Sequence, residues 1–368
     1  MQHSAVTTAG SIDLHTHILP QHWPNWTQRT GYSGWIELAH TKPGCACMQR
    51  TERDGSLTSF REIQSNCWDP AVRLQDMHAT GVAMQVLSTV PIMFSYWAKP
   101  QDAYDLARLL NDHIASICRE HPHSFAGLAT IPLQDPQLAM RELDRCINDL
   151  NLPGIQIGTN VNGTNLDDPS IIEVLAHAEK RSACVFIHPW EMLSLSRHPR
   201  INAEPQLTER MARYWMPWLV GMPAETTLAI CSLIFANVFE RFPALRICFA
   251  HGGGSFPATL GRISHGRHCR ADLFPQGAPD PLTYLAQPNQ PAKFYVDSLV
   301  HEPHALRLLI NLFGSNRIAL GSDYPFPLGE DKPGELIRSL ANELSPTEIN
   351  NMLGATARNF LGIPPAAS

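Results

Sequence analysis

Two imidazoles, His15 and His17, stand one residue apart in residues 11–20, SIDLHTHILP. In an extended chain the side chains at i and i+2 leave the backbone on the same side, so both rings would face one place. Three further residues close short apolar runs in the same way: His188 ends CVFIH, His251 follows RICFA, and Asp323 follows RIALGS. Neutral imidazole and carboxylate are ligands for a divalent zinc ion, and a catalytic zinc site keeps one position for water. Iron, cobalt or manganese would accept the same donors. Such an ion acidifies its water. A histidine beside it can act as general base or acid, so His251 could be that base or one ligand more. Each residue has a plainer reading alone. A strand histidine is usually a satisfied polar residue, Asp323 in GSDYP could cap a turn, and HGGG could be a tight turn that needs glycine. Their convergence is what points to metal chemistry.

A carboxylate substrate would be met best by arginine, whose planar fork makes two parallel hydrogen bonds. Arg61 in SFREIQSNCWDP and Arg262 in LGRISHGR are the candidates, with solvated surface charge as the alternative. Trp190, Trp215 and Trp218 could wall a pocket or pack a core.

The elements that must position these groups are short apolar runs alternating with helical patterns. Strands are expected at 12–18, 83–89, 125–131, 154–159, 184–189, 246–252, 293–299 and 317–324. Several are apolar almost throughout, as parallel strands buried on both faces are. Helices are expected at 103–121, 135–150, 170–183, 224–243 and 303–314, several opening on Asp-Pro. A last helix at 345–362 opens on an S-x-x-E capping box. Eight alternations give an α/β fold, a (β/α)8 TIM-like barrel, with a doubly wound sheet as the rival. The barrel is preferred because polar residues end strands along the whole chain, and in a barrel those ends form the active-site face. Residues 31–70 read as a small irregular insertion after strand one. Residues 191–213, polar and with two prolines, read as an extended surface loop after strand five. Residues 1–368 read as a single domain.

The 368 residues carry a net charge of −6, are 44% hydrophobic and 17% charged, which describes a soluble globular protein. No basic stripe suggests nucleic acid or an anionic membrane, so the expected partner is a small molecule. Nine scattered cysteines without a C-x-x-C pair read as reduced thiols. The C-A-C pair at Cys45 and Cys47 is placed in a polar loop. The first ten residues read as neither signal nor transit peptide. WMPWLVGMP, from Trp215, is too short and proline-broken for a membrane span. Cytoplasm is expected.

HTHILP, NCWDP, LSTVPIMFSYWAKP, PGIQIGT, HPW, YWMPWLVGMPAETT, FAHGGG, GRISHG and GSDYPFPLGE all occur in this order. Together they resemble the metal-dependent decarboxylase branch of the amidohydrolase superfamily, across about residues 12–362. HTH marks only the superfamily; STVPIMFSYWAKP and YWMPWLVGMPAETT are far more specific. The resemblance implies one zinc per subunit at the positions matching His15, His17, His188 and Asp323. It implies His251 as acid/base catalyst, with Asp323 as a second proton carrier. Arg61, Arg262 and Trp190 would bind substrate. Arg262 would come from the neighbouring subunit of a homodimer. Two-metal barrels of this superfamily bridge their ions with a carboxylated lysine or a glutamate on strand four, where this chain has Gln156. The implied reaction removes CO2 from the dicarboxylate 2-amino-3-carboxymuconate 6-semialdehyde, giving 2-aminomuconate 6-semialdehyde, in the kynurenine route of tryptophan breakdown. A decarboxylase of aromatic acids, a lactone or amide hydrolase, and a non-catalytic metal-binding barrel are the alternatives. Two departures stand out: the loop after HPWE is long, and Arg53-Asp54-Gly55 replaces the family's Lys-Asp-Gly, with a longer spacer before Arg61.

Overall fold

The computed structural model describes residues 10–190 and 211–364. Most of the loop expected at 191–213 lies outside these residues. Eight parallel strands are present: Ser11–Ile18, Val82–Thr89, Phe125–Gly127, Gly154–Gly158, Cys184–His188, Ile247–Phe249, Tyr295–Asp297 and Ile318–Ala319. The first three pair in order, and so do the last five. A parallel bridge from Ala129 to Ile155 joins the two sets. Another from Thr16 to Tyr324, with the Leu14 N–H donating to the Leu320 carbonyl at 2.8 Å, closes the cylinder. The barrel expected from the sequence therefore forms, each observed strand falling in an expected run. Closure satisfies edge groups that an open sheet would leave unpaired.

The helices pack outside and return the chain for each next strand. Five of their starts share one device, an acid or serine followed by proline. Asp69, Asp135, Asp168, Glu302 and Ser345 each accept a backbone N–H of the first turn, ahead of Pro70, Pro136, Pro169, Pro303 and Pro346. Proline loses nothing there, because that N–H has no partner inside the helix. The capping box of Ser345 with Glu348 is present. The leucine- and isoleucine-rich faces of these helices meet the strands in one continuous core.

Four expectations need correction. The insertion is not irregular: strands Ile36–Lys42, Cys45–Thr51 and Leu57–Gln64 form an antiparallel meander. Trp26, Trp35, Met48, Ile63 and Trp68 give it an apolar core shared with Val90 and Met93. Cys45 and Cys47 consequently lie in a strand, not in a polar loop. The helix expected at 224–243 stops at Phe235, because Asn237 takes a left-handed φ of 55°, and resumes as Val238–Arg241. The last helix is interrupted by a π-turn at Asn351–Ala355, which buries Met352 and Leu353. A helix that was not expected, Phe256–Cys269, carries Arg262; two glycines and four basic or histidine positions hide its apolar period. Among the described residues one helical stretch, Pro217–Phe235, is long and apolar enough to cross a membrane, and half of it is buried inside the fold.

Candidate metal centre and active site

The C-terminal ends of the strands bring the residues together. His15 and His17 come from the first strand, His188 ends the fifth, and Asp323 follows the eighth. One nitrogen or oxygen from each lies within 4.8 Å of all the others, and all four residues are buried. The Nε2 atoms of His15 and His17 are 3.2 Å apart, and Asp323 Oδ1 lies 3.3 and 3.0 Å from them. Tetrahedral ligands at zinc distances stand roughly 3.3 Å from one another, so the cluster is the right size.

Each ring is held by its other nitrogen. His15 Nδ1 is 2.7 Å from Asp297 Oδ2, His17 Nδ1 is 3.1 Å from the Thr89 carbonyl, and His188 Nδ1 is 2.9 Å from the Pro189 carbonyl. Acceptors at Nδ1 place the proton there and leave the Nε2 lone pair inward. His188 Nε2 is buried with no hydrogen-bond partner among the described residues. A buried orphan lone pair aimed at two imidazoles and a carboxylate fits a cation.

The electrostatics agree. Burial, reinforced by the neighbouring imidazoles, holds His188 well below the ordinary histidine range. Burial also lowers His17. Burial opposes charge on His15, but Asp323 and Asp297 outweigh it and draw the ring up to about 10. Burial likewise opposes ionisation of Asp323, yet His15 and His17 keep its carboxyl well below the usual range. Two buried carboxylates thus recruit a proton where no other cation stands.

His251 lies outside this four-residue group. Its Nε2 is 3.8 Å from Asp323 Oδ2, and its ring is 5.1 Å from that of His188. It sits in a left-handed turn, φ 55°, ahead of three glycines that also take positive φ. A Cβ at Gly252 would meet Val300 at 2.4 Å and one at Gly254 would meet the Pro223 carbonyl at 2.4 Å, so the turn needs glycine for space as well as angle.

These groups open into a cavity of about 880 Å³ lined also by Arg61, Trp190, Trp215, Trp218 and Phe326. Arg61 extends from the meander, its backbone paired with Met48. Burial lowers its pKa, and it has no hydrogen-bond or ion-pair partner among the described residues. Its guanidinium stacks 4.9 Å over the Phe326 ring. Trp190 lies on the cavity wall, its carbonyl accepting from Asn160 Nδ2 at 2.9 Å. Arg262 is exposed on its helix and is not a cavity residue of its own chain. Arg53 is exposed at the meander's second hairpin, while Arg50 reaches the cavity rim.

Asp297 was missed in the sequence. The signal was present, since YVDSL places an acid at the end of the seventh strand, as GSD does after the eighth. Burial opposes its ionisation, but His15 holds it below the usual carboxylate range. Phe326, three residues after Asp323, gave no sequence signal.

The amidohydrolase family profile matches residues 12–363. The chain is 54% identical to 2-amino-3-carboxymuconate-6-semialdehyde decarboxylase of Dictyostelium discoideum, over 96% of this chain and 92% of that one. It is 36% identical to the Caenorhabditis elegans protein of the same name, over 91% of this chain and 90% of that one. Its fold is similar to that of 5-carboxyvanillate decarboxylase from Novosphingobium aromaticivorans with bound manganese, with a TM-score of 0.74, 19% identity, and coverage of 96% of this chain and 97% of that one.

Proposed function

The chain belongs to the amidohydrolase family, and from that premise we propose that it is a metal-dependent decarboxylase of 2-amino-3-carboxymuconate 6-semialdehyde. The observation that carries this reading is the coincidence of a cation-shaped cluster with an unpartnered, half-buried guanidinium on the same cavity. The 54% identity to a protein of that activity supports the substrate.

His15, His17, His188 and Asp323 would hold one divalent ion, zinc in this proposal. Such an ion supplies Lewis acidity and lowers the pKa of water. The chain's own residues do the rest. Decarboxylation replaces a carbon–carboxylate bond with a carbon–hydrogen bond, so a proton must be delivered as CO2 departs. His251 is the proton carrier, its Nε2 facing the cavity beside Asp323 Oδ2. Asp323 is the second carrier. Arg61 takes a substrate carboxylate; a proton placed on the enamine carbon that bears the leaving carboxylate turns the enamine into an iminium, which accepts the electron pair of the broken carbon–carboxylate bond, so no further electron sink is required. Trp190 walls the bound molecule. Arg262, exposed on its own subunit, supplies the second guanidinium to the neighbouring site of a homodimer. The reaction so assigned belongs to the kynurenine route of tryptophan catabolism, in the cytoplasm; nine free thiols suit that reducing compartment. We read residues 1–368 as one domain.

The test is to supply purified protein with freshly generated 2-amino-3-carboxymuconate 6-semialdehyde and to follow its near-ultraviolet decay and CO2 release, with and without chelator. Accelerated decay that a chelator abolishes and zinc restores is expected. Decay at the uncatalysed rate, alongside turnover of a dihydroxybenzoate, would assign the chain to aromatic acids instead.

A further inference from the structure

One carboxylate touches both halves of this site. Asp297 Oδ2 accepts from His15 Nδ1 at 2.7 Å and from the His251 backbone N–H at 2.9 Å. Asp297 Oδ1 accepts from the Gly252 N–H at 2.8 Å and the Leu299 N–H at 3.1 Å. Asp297 is fully buried. An ionised carboxylate has only lone pairs, so four donors converge on it and none of its bonds can reverse direction.

The two consequences are distinct. At His15 the proton is pinned on Nδ1, which keeps the Nε2 lone pair on the side of His17 and Asp323. At the His251 turn, two consecutive N–H groups are tied down where the chain takes φ of 55° and 61°. Non-glycine residues occupy that region only when their surroundings over-determine it. The turn aims the His251 ring, so the same side chain that orients a ligand also aims the proton carrier.

We propose that Asp297 is a positioning residue that locks the ligating tautomer of His15 and the presentation of His251 together. It acts through these two residues and reaches no substrate itself. This rests on the metal-centre reading above. An amide at this position cannot serve both sides. With its NH2 toward His15 it donates to Nδ1 and moves the ring proton to Nε2; with its NH2 toward Gly252 it faces two donors with a third.

Asp297→Asn tests this, with zinc affinity measured by competition against a chelator on the whole protein. About 10–100-fold weaker zinc binding is expected. At saturating zinc, kcat is expected to fall while KM holds, since Arg61 is untouched. On a His15→Ala background the same change should alter zinc affinity by no more than about twofold, because the residue it acts through is gone. Unchanged zinc affinity in Asp297→Asn, or a full additional loss on the His15→Ala background, overturns the inference alone. A His15→Ala protein that binds zinc as well as the parent overturns the metal-centre reading and this inference with it. Melting of the zinc-free proteins, with Asp297→Ser as a second variant, monitors folding; failure of both variants to fold would make Asp297 a folding residue and overturn its positioning role.

Discussion

Replacing Arg61 with methionine should damage catalysis and stabilise the fold, two effects of opposite sign from one change. The guanidinium is half-buried, stacked on Phe326, and unpaired among the described residues. An uncompensated buried charge costs stability, and hydrophobic replacements of buried ions are often stabilising. Solvent at the cavity mouth screens part of that cost, so a gain of about 1 kcal/mol is expected, roughly 1–2 °C in Tm for a chain of this size. Catalysis moves the other way. A bidentate carboxylate clamp comprises two charge-assisted hydrogen bonds, together about 3–4 kcal/mol at the lower end of their range. At 1.4 kcal/mol per decade, kcat/KM should fall about 10²–10³-fold. Where Arg61 holds the carboxylate that the reaction leaves in place, its bonds persist into the transition state, and the loss falls on KM. Arg61→Lys keeps the charge but not the fork, so it should lose activity without gaining stability. Steady-state kinetics on the muconate semialdehyde and thermal melts of the same preparations measure both. A kcat/KM close to that of the parent refutes the clamp. An Arg61→Met protein less stable by about 1 kcal/mol or more refutes the unpaired-charge account and makes Arg61 part of the meander's packing.

Two further outcomes follow from the same geometry. His251→Ala should lower kcat by about 10²–10⁴-fold with zinc content unchanged, measured by elemental analysis of the purified protein; lost zinc would move His251 into the ligand set. Arg61→Ala and Arg262→Ala chains, each inactive alone, should regain part of the activity when mixed and allowed to exchange subunits, because one of the two sites then carries both arginines; no recovery counts against a site shared between subunits.

What the sequence made legible follows from where polarity interrupts hydrophobicity. CVFIH and IDLHTHI are largely apolar strands whose histidines sit where a barrel opens, so strand, face and ligand could be read together. The meander offered no such contrast. Its strands mix buried Met48 and Ile63 with exposed Lys42, Arg50 and Glu62, and its core is completed by Val90 and Met93 from another part of the chain. The helix that carries Arg262 was hidden for a related reason. It buries only Phe256 and Leu260, so its sequence shows little apolar period. Asp297 was hidden by its partners. Nothing local in YVDSL distinguishes an acid that caps a turn from one that meets His15, which is 282 positions away.

The proposal of one ion also rests on residues that looked unremarkable. Gln156 occupies the fourth-strand position where a two-metal barrel needs an anion. Its amide is committed: Oε1 accepts from Ser88 Oγ at 2.6 Å and Nε2 donates to the Thr89 carbonyl at 2.9 Å. Ser88 Oγ and the Thr89 carbonyl are the two groups that flank His17 Nδ1, at 3.2 and 3.1 Å. Gln156 therefore braces the holder of a ligand and brings no charge of its own. The charges suit the single ion proposed above. Asp323 and Asp297 each carry one negative charge beside three neutral imidazoles, and one divalent cation cancels them. A second would leave two positive charges in a buried site, where unpaired charge is heavily penalised. Asp13, a buried acid of the first strand, does not supply the difference: burial pushes its carboxyl up to about 7, and its oxygens are engaged by Ser322. Of the two arginines that line the cavity among the described residues, Arg50 is paired with Glu52 at 2.9 Å and Arg61 has no such partner; under the function proposed above, a substrate carboxylate is the anion it takes.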